Sequence, residues 1–138
     1  MIHSLSAINW AAVAVAFVAY AFLGGLWFTL FFKKPYLASL GRENEPPQKP
    51  APIFMIGPAV CSFVITLTSA LLMHALGIGT YAGAAEFAGI VGIGYLVANT
   101  VNIAINPNIP RPLFYGLISG LFHLTGIFMV CMIIAAMG

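Results

Sequence analysis

The 138 residues carry a net charge of +2, and 62% of them are hydrophobic but only 6% charged, where a soluble domain has about a quarter charged. Six of the eight charged residues fall between Lys33 and Lys49, which leaves only Glu86 and Arg111 elsewhere. This distribution excludes a water-solvated globule, and it offers no extended basic surface for nucleic acid.

An α-helix needs about 20 apolar residues to cross a hydrocarbon core of roughly 30 Å. Four runs qualify, at about 8–32, 53–76, 86–106 and 113–136. A β-barrel would instead show segments of about 10 residues alternating apolar and polar. The expected fold is therefore all-α: a single transmembrane domain over 1–138, built as an antiparallel integral membrane four-helix bundle.

The first run lacks a basic leader, and its 25 residues exceed the roughly 7–15 of a cleavable signal core, so it is expected to stay as a transmembrane helix. Trp10 marks one end and Trp27, Phe28, Phe31, Phe32 and Tyr36 crowd the other, as interface anchors do. Asn9 opens the helix, while Ala14, Ala21, Gly24 and Gly25 give it small packing positions.

The window 33–52 follows, with Lys33, Lys34, Arg42, Lys49 and four prolines between Pro46 and Pro52, and reads as an extended polar linker. Arg111 supplies the remaining cation, between the third and fourth runs. The positive-inside rule puts both of these loops in the cytoplasm and both termini outside, in an inner membrane with a periplasmic face.

In the second run Pro58 marks a late start or a kink, and Ser62, Thr66, Ser69 and Met73 share one face. Cys61 and Cys131 fall near opposite membrane faces, too far apart for the roughly 7 Å a disulfide allows, and both read as small buried residues. Glu86 sits at the predicted start of the third helix, where it favours the helix dipole.

That helix carries Ala88, Gly92, Tyr95, Asn99, Asn102 and Asn106 at spacings of 4, 3, 4, 3 and 4, which reads as one continuous stripe. Pro107, Pro110 and Pro112 break the chain before the fourth run. There Pro112, Gly116, Ser119, His123, Gly126 and Val130 repeat the same spacing, and Gly116 with Gly120 forms a GxxxG pair. Tyr20, Tyr81, Tyr95 and Tyr115 read as packing or interface residues.

His123 lies about 15 Å along the fourth helix, near mid-membrane. Together with Ser119, Asn99, Asn102 and Asn106 it forms the candidate polar constellation. Two uses are open: hydrogen bonds that lock the third and fourth helices together, or a pocket handling a proton or polar solute. No metal or cofactor is expected. His74 and His123 differ by about 12 Å in depth, and a pairing of His3 with His74 lacks the third ligand a zinc site needs. Neither a Cys-x-x-Cys pair nor a serine set beside a base is present, so no enzyme is expected.

The stretch Ile8-Asn9-Trp10 through Gly24-Gly25-Leu26-Trp27-Phe28, then Phe31-Phe32-Lys33-Lys34 and Leu40-Gly41, resembles the opening helix of the bacterial membrane family known as domain of unknown function 1761. Leu121-Phe122-His123-Leu124-Thr125-Gly126 is similar to that family's Tyr-His-Leu-x-Gly segment, although Phe28 replaces a usual Tyr and Lys33 a common Gly. The resemblance implies a four-helix integral membrane protein and no activity. It singles out Asn9, Trp10, Gly24, Trp27, His123 and Gly126.

The expected function is that of a small non-enzymatic protein acting by helix packing, embedded in the lipid bilayer as a homo-oligomer or as an accessory part of a larger membrane complex. The alternative is a carrier or channel for a small polar solute using the Asn99, Asn102 and His123 face.

Overall fold

The computed structural model describes residues 2–138, with side chains from Ser4 onward. Among the described residues it is all helical, without strands. A 3-10 turn (Ile2–Ser6) precedes α1 (Trp10–Leu26). The Asn9 side chain caps α1, its Oδ1 accepting the Ala12 amide at 3.1 Å. The helix runs on without a break into a π-helical segment, Trp27–Phe31.

A short helix, α2 (Lys33–Ser39), then forms inside the window expected to be an extended linker. Pro35 falls in its first turn, where a missing amide costs little. Gly41 ends it at φ +68, with the Arg42 amide donating to the Leu37 carbonyl at 2.9 Å and the Gly41 amide to Ala38 at 3.1 Å. The linker reading therefore holds only beyond Gly41.

The second long helix, α3 (Ile53–Ala75), keeps Pro58 within its early turns and ends at Gly77, φ +69, where the Ile78 amide bonds the Met73 carbonyl. Thr80 then caps α4 (Tyr81–Val91) through its Oγ1, which accepts the Gly83 amide at 3.1 Å. This helix starts five residues before the expected one. Glu86 is thus an exposed residue past the first turn and not the residue that opens the helix. A second π segment, Gly92–Val97, leads into α5 (Ala98–Ala104), and α6 (Pro112–Met137) begins with proline at its first position.

Four continuous helical stretches are long and apolar enough to cross a membrane: Trp10–Phe31, Ile53–Ala75, Tyr81–Ala104 and Pro112–Met137. The last is the hub. It buries 44% of its most apolar stretch, against 22% for each of the others, and it packs on α1, α2, α3 and the whole α4–α5 stretch.

Glycines set how close the helices come. A Cβ at Gly116 would stand 3.1 Å from Val101, and one at Gly120 3.3 Å from Val97. One at Gly92 would press on Leu124 and Ile127 at 2.7 and 2.9 Å, and one at Gly24 would meet the Phe122 ring at 3.2 Å. Gly126 is the tightest, since a Cβ there would overlap the Tyr20 ring. Gly25, expected to be a packing glycine, meets nothing within 4 Å.

The π segment explains which face of the third stretch turns inward. Its i→i+5 bonding fits about one more residue into the turn than an α-helix does. The inward position after Gly92 therefore passes to Val97, five residues on, and then to Val101 and Ala104. The even stripe through Tyr95, Asn99 and Asn102 is broken at that turn, and all three side chains face outward.

Hydroxyls on the seams serve their own helices. Thr66 donates to the Ser62 carbonyl at 2.8 Å, Ser69 to Ile65 at 2.7 Å and Thr100 to Leu96 at 2.7 Å. Both cysteines are unpaired, and Cys61 is exposed where a buried residue was expected, while Cys131 is buried.

Alanine substitution separates tight from open glycines. Gly126→Ala is expected to lower stability by about 1–3 kcal/mol through overpacking against Tyr20. Gly25→Ala should be neutral or stabilising by up to about 1 kcal/mol, from helix propensity alone. Thermal unfolding in detergent reads both, and an equal loss in the two variants would contradict this packing.

Candidate functional site

Three side-chain hydrogen bonds join the first span and its flanking residues to α6. Tyr20 stands on the α1 face formed by Val13, Ala16, Tyr20, Gly24 and Trp27, and it is fully buried. Its ring lies on the Gly126 backbone, and its hydroxyl pairs with His123 Nδ1 at 2.9 Å. When the hydroxyl donates, the imidazole carries its own hydrogen on Nε2.

Phe122 closes over the pair, its ring centroid 5.3 Å from Tyr20 and 4.9 Å from His123. Below it Trp27 Nε1 donates to the Ile118 carbonyl at 3.2 Å, and Phe28 stands edge-on to Phe122 at 5.1 Å. At the far end Asn9 Nδ2 donates to the Met137 carbonyl at 2.8 Å, joining the start of α1 to the end of α6. Trp10 bonds locally, its Nε1 donating to the Leu5 carbonyl at 3.0 Å. Three hydrogen bonds thus fasten one helix pair at its two ends and its middle.

The expected constellation does not come together. Asn99 and Asn102 are exposed on the outward side of α5, so neither amide supplies a partner for His123, and Tyr20 takes that place. Asn106 shapes the turn after α5: its Nδ2 donates to the Ile103 carbonyl at 2.7 Å and its Oδ1 accepts the Asn108 amide at 2.8 Å. Ser119 is buried beside the seam, and its Oγ has no hydrogen-bond partner among the described residues.

Tyr20, expected only to pack, also supplies the hydrogen-bonding partner of His123. A signal for it exists, because Val13, Ala16, Tyr20, Gly24 and Trp27 recur at helical spacing and Tyr20 alone among them offers a hydroxyl at mid-helix.

At the charged end, α2 folds under α6. The Tyr36 ring lies 4.8 Å from Phe28 and 5.8 Å from Tyr115, and burial together with the neighbouring Tyr115 phenol pushes its hydroxyl pKa up to about 12. Ser39 is buried there and donates to the Tyr36 carbonyl at 2.6 Å, while Pro110 packs on Gly41. Two exposed ion pairs, Arg42–Glu45 at 2.7 Å and Arg111–Glu43 at 3.3 Å, add little to stability by themselves.

Hollows are present away from the pair. A cleft of about 290 Å³ at the end bearing both termini is lined by Asn9, Met73, His74 and Ile134 among others. A groove of about 400 Å³ between α1 and α3 is lined by Phe17, Met55, Ile56, Ala59, Val60 and Phe63. Neither is lined by His123 or Asn99. His74 is exposed, and the His3 side chain considered with it lies outside the described residues. Among the described residues no three His, Cys, Asp or Glu side chains are grouped to hold a metal ion.

A family model described as "Protein of unknown function (DUF1761)" matches residues 11–135. The chain belongs to this family. No curated protein and no solved structure matches it. Of the positions on which the DUF1761 resemblance rests, Gly24, Trp27, His123 and Gly126 touch across the α1–α6 seam, and Asn9 ties its end.

Tyr20→Phe should cost about 0.6–2 kcal/mol, the range for an interhelical hydrogen bond in lipid. A double-mutant cycle with His123→Leu, which leaves no acceptor for the hydroxyl, should return a coupling energy of that size, measured by reversible unfolding in detergent. Ser119→Ala removes a buried hydroxyl with no partner, and should leave stability unchanged or raise it by about 1 kcal/mol.

Proposed function

We propose that this DUF1761 protein is a non-enzymatic inner-membrane protein that works by helix packing, either as a homo-oligomer or as an accessory subunit of a larger membrane assembly. In this reading the four spans form an antiparallel bundle whose charged loops, around Lys33–Lys49 and Arg111, face the cytoplasm. Both termini then lie on the outer side.

The observation that carries the reading is how the polar groups of the α1–α6 seam are used. Tyr20 and His123 pair with each other, and Trp27 and Asn9 bond main-chain carbonyls of α6. Tyr20 takes up Nδ1 of His123 and leaves only its Nε2 to meet a solute, so most of the seam's polar groups are spent on holding the helices together. The carrier alternative needed Asn99, Asn102 and His123 on one face. The outward amides of α5, which leave His123 without the partners that the carrier reading gave it, speak for packing instead.

Two measurements test this. In proteoliposomes the wild-type protein should pass small polar solutes no faster than empty vesicles. Flux that disappears in a folded His123→Ala variant would establish the carrier. For orientation, Gln48→Cys in a Cys61→Ala background should react with an impermeant maleimide only from the cytoplasmic side, and labelling from outside would reverse the topology.

A further inference from the structure

The outward side of the third stretch sets polar side chains among lipid-compatible isoleucines such as Ile93 and Ile103. Tyr95 is 72% exposed, and Asn99 and Asn102 are exposed beside it. None of these three side chains has a hydrogen-bond partner among the described residues. By helical rise, Tyr95 lies about 13 Å and Asn99 about 8 Å inside the Ala104 end of the span, within hydrocarbon depth for a span of 24 residues. An amide or phenol held in hydrocarbon without a partner is strongly unfavourable.

The placement follows from the π turn at Gly92–Val97. It gives Val97 and Val101 the inward positions against Gly120 and Gly116, and it turns the polar side chains away from the rest of the chain. Small residues share their face. Gly94 and Ala98 are exposed one turn apart, and a Cβ at Gly94 would meet nothing within 4 Å. Small residues with hydrogen-bonding side chains beside them make the kind of surface on which helices associate in lipid.

We propose that a second copy of this chain docks on this face, with Gly94 and Ala98 at the close approach and Tyr95, Asn99 and Asn102 paired across it. Copies inserted in the same orientation and related by a two-fold axis along the membrane normal bring each residue opposite its own counterpart at equal depth. Only a group that both donates and accepts can satisfy itself in that geometry. Asn and Tyr do so, and a charged side chain does not. No charged residue occurs between Gly92 and Ala104; Glu86, the span's one charge, lies nearer its other end. The proposal rests on the packing function above and names its homo-oligomeric form.

The test uses the full chain in lipid vesicles, in a Cys61→Ala background. Ala98→Cys should give a disulfide-linked dimer under mild oxidation, and Val18→Cys, exposed on α1, should not. Asn99→Leu with Asn102→Leu should weaken association at least about tenfold, the factor that about 1.4 kcal/mol represents. Thermal stability of the monomer should be unchanged, since neither amide bonds within the chain. A wild-type protein that stays monomeric in lipid would overturn the proposal. So would a dimer linked through Val18→Cys but not Ala98→Cys, or one undiminished by the leucine pair. Solute flux is scored separately, so a transporting dimer would overturn the packing function and leave this interface standing.

Discussion

The rest of the structure hangs on the contact between Tyr20 and the Gly126–His123 face of α6. Lipid supplies little hydrophobic drive for one helix to seek another, so close packing and hydrogen bonds must hold them. Tyr20 provides both at one point. Its ring reaches the α6 backbone only because Gly126 has no side chain, and that approach brings its hydroxyl to His123. Phe122 packs beside the ring, with Gly24 leaving room for it, and Val130 and Ala16 lie in the same core. With α1 fixed on α6, the bonds of Trp27 and Asn9 fall into place along the same seam.

From that seam the other helices are placed by α6 and α1. The third span packs along α6, with Val97 and Val101 fitted over Gly120 and Gly116. The second span lies on α1 and α6, and its seam hydroxyls bond their own carbonyls, so small size and van der Waals contact hold it there. The two kinds of contact make different demands on sequence. The α1–α6 seam needs particular polar side chains at particular depths. The others rely on apolar fit, with small residues opposite branched ones along α6 and Phe17 edge-on to Phe63 between α1 and α3.

The charged window serves the same assembly. Its first part is a helix that seats Tyr36 and Ser39 beneath α6, and Gly41 turns the chain where Pro110 packs on it. Glu43 and Arg111 then bridge the window to the loop before α6. What reads as a solvated linker is in its first third a lid on the end of the helices, and only the proline-rich remainder is extended.

The amino-acid sequence by itself determined the four stretches long and apolar enough to cross a membrane, the family and most of the glycines at which helices meet. These follow from run length, from the confinement of charge and from the spacing of small residues, all of which are local properties. Lys33-Lys34-Pro35 hid α2, because composition there looks polar while Gly41 and the buried Ser39 make it a capped, docked helix. Only the tertiary structure decided that His123 bonds Tyr20 and that Asn99 and Asn102 face away from it. The physical reason is one extra residue in the turn at Gly92–Val97. A 3.6-residue period carries Asn99 onto the same stripe as Gly92, and a single π turn rotates it off. That rotation is favoured by how Gly92, Val97 and Val101 fit α6, a contact that no spacing within one helix encodes.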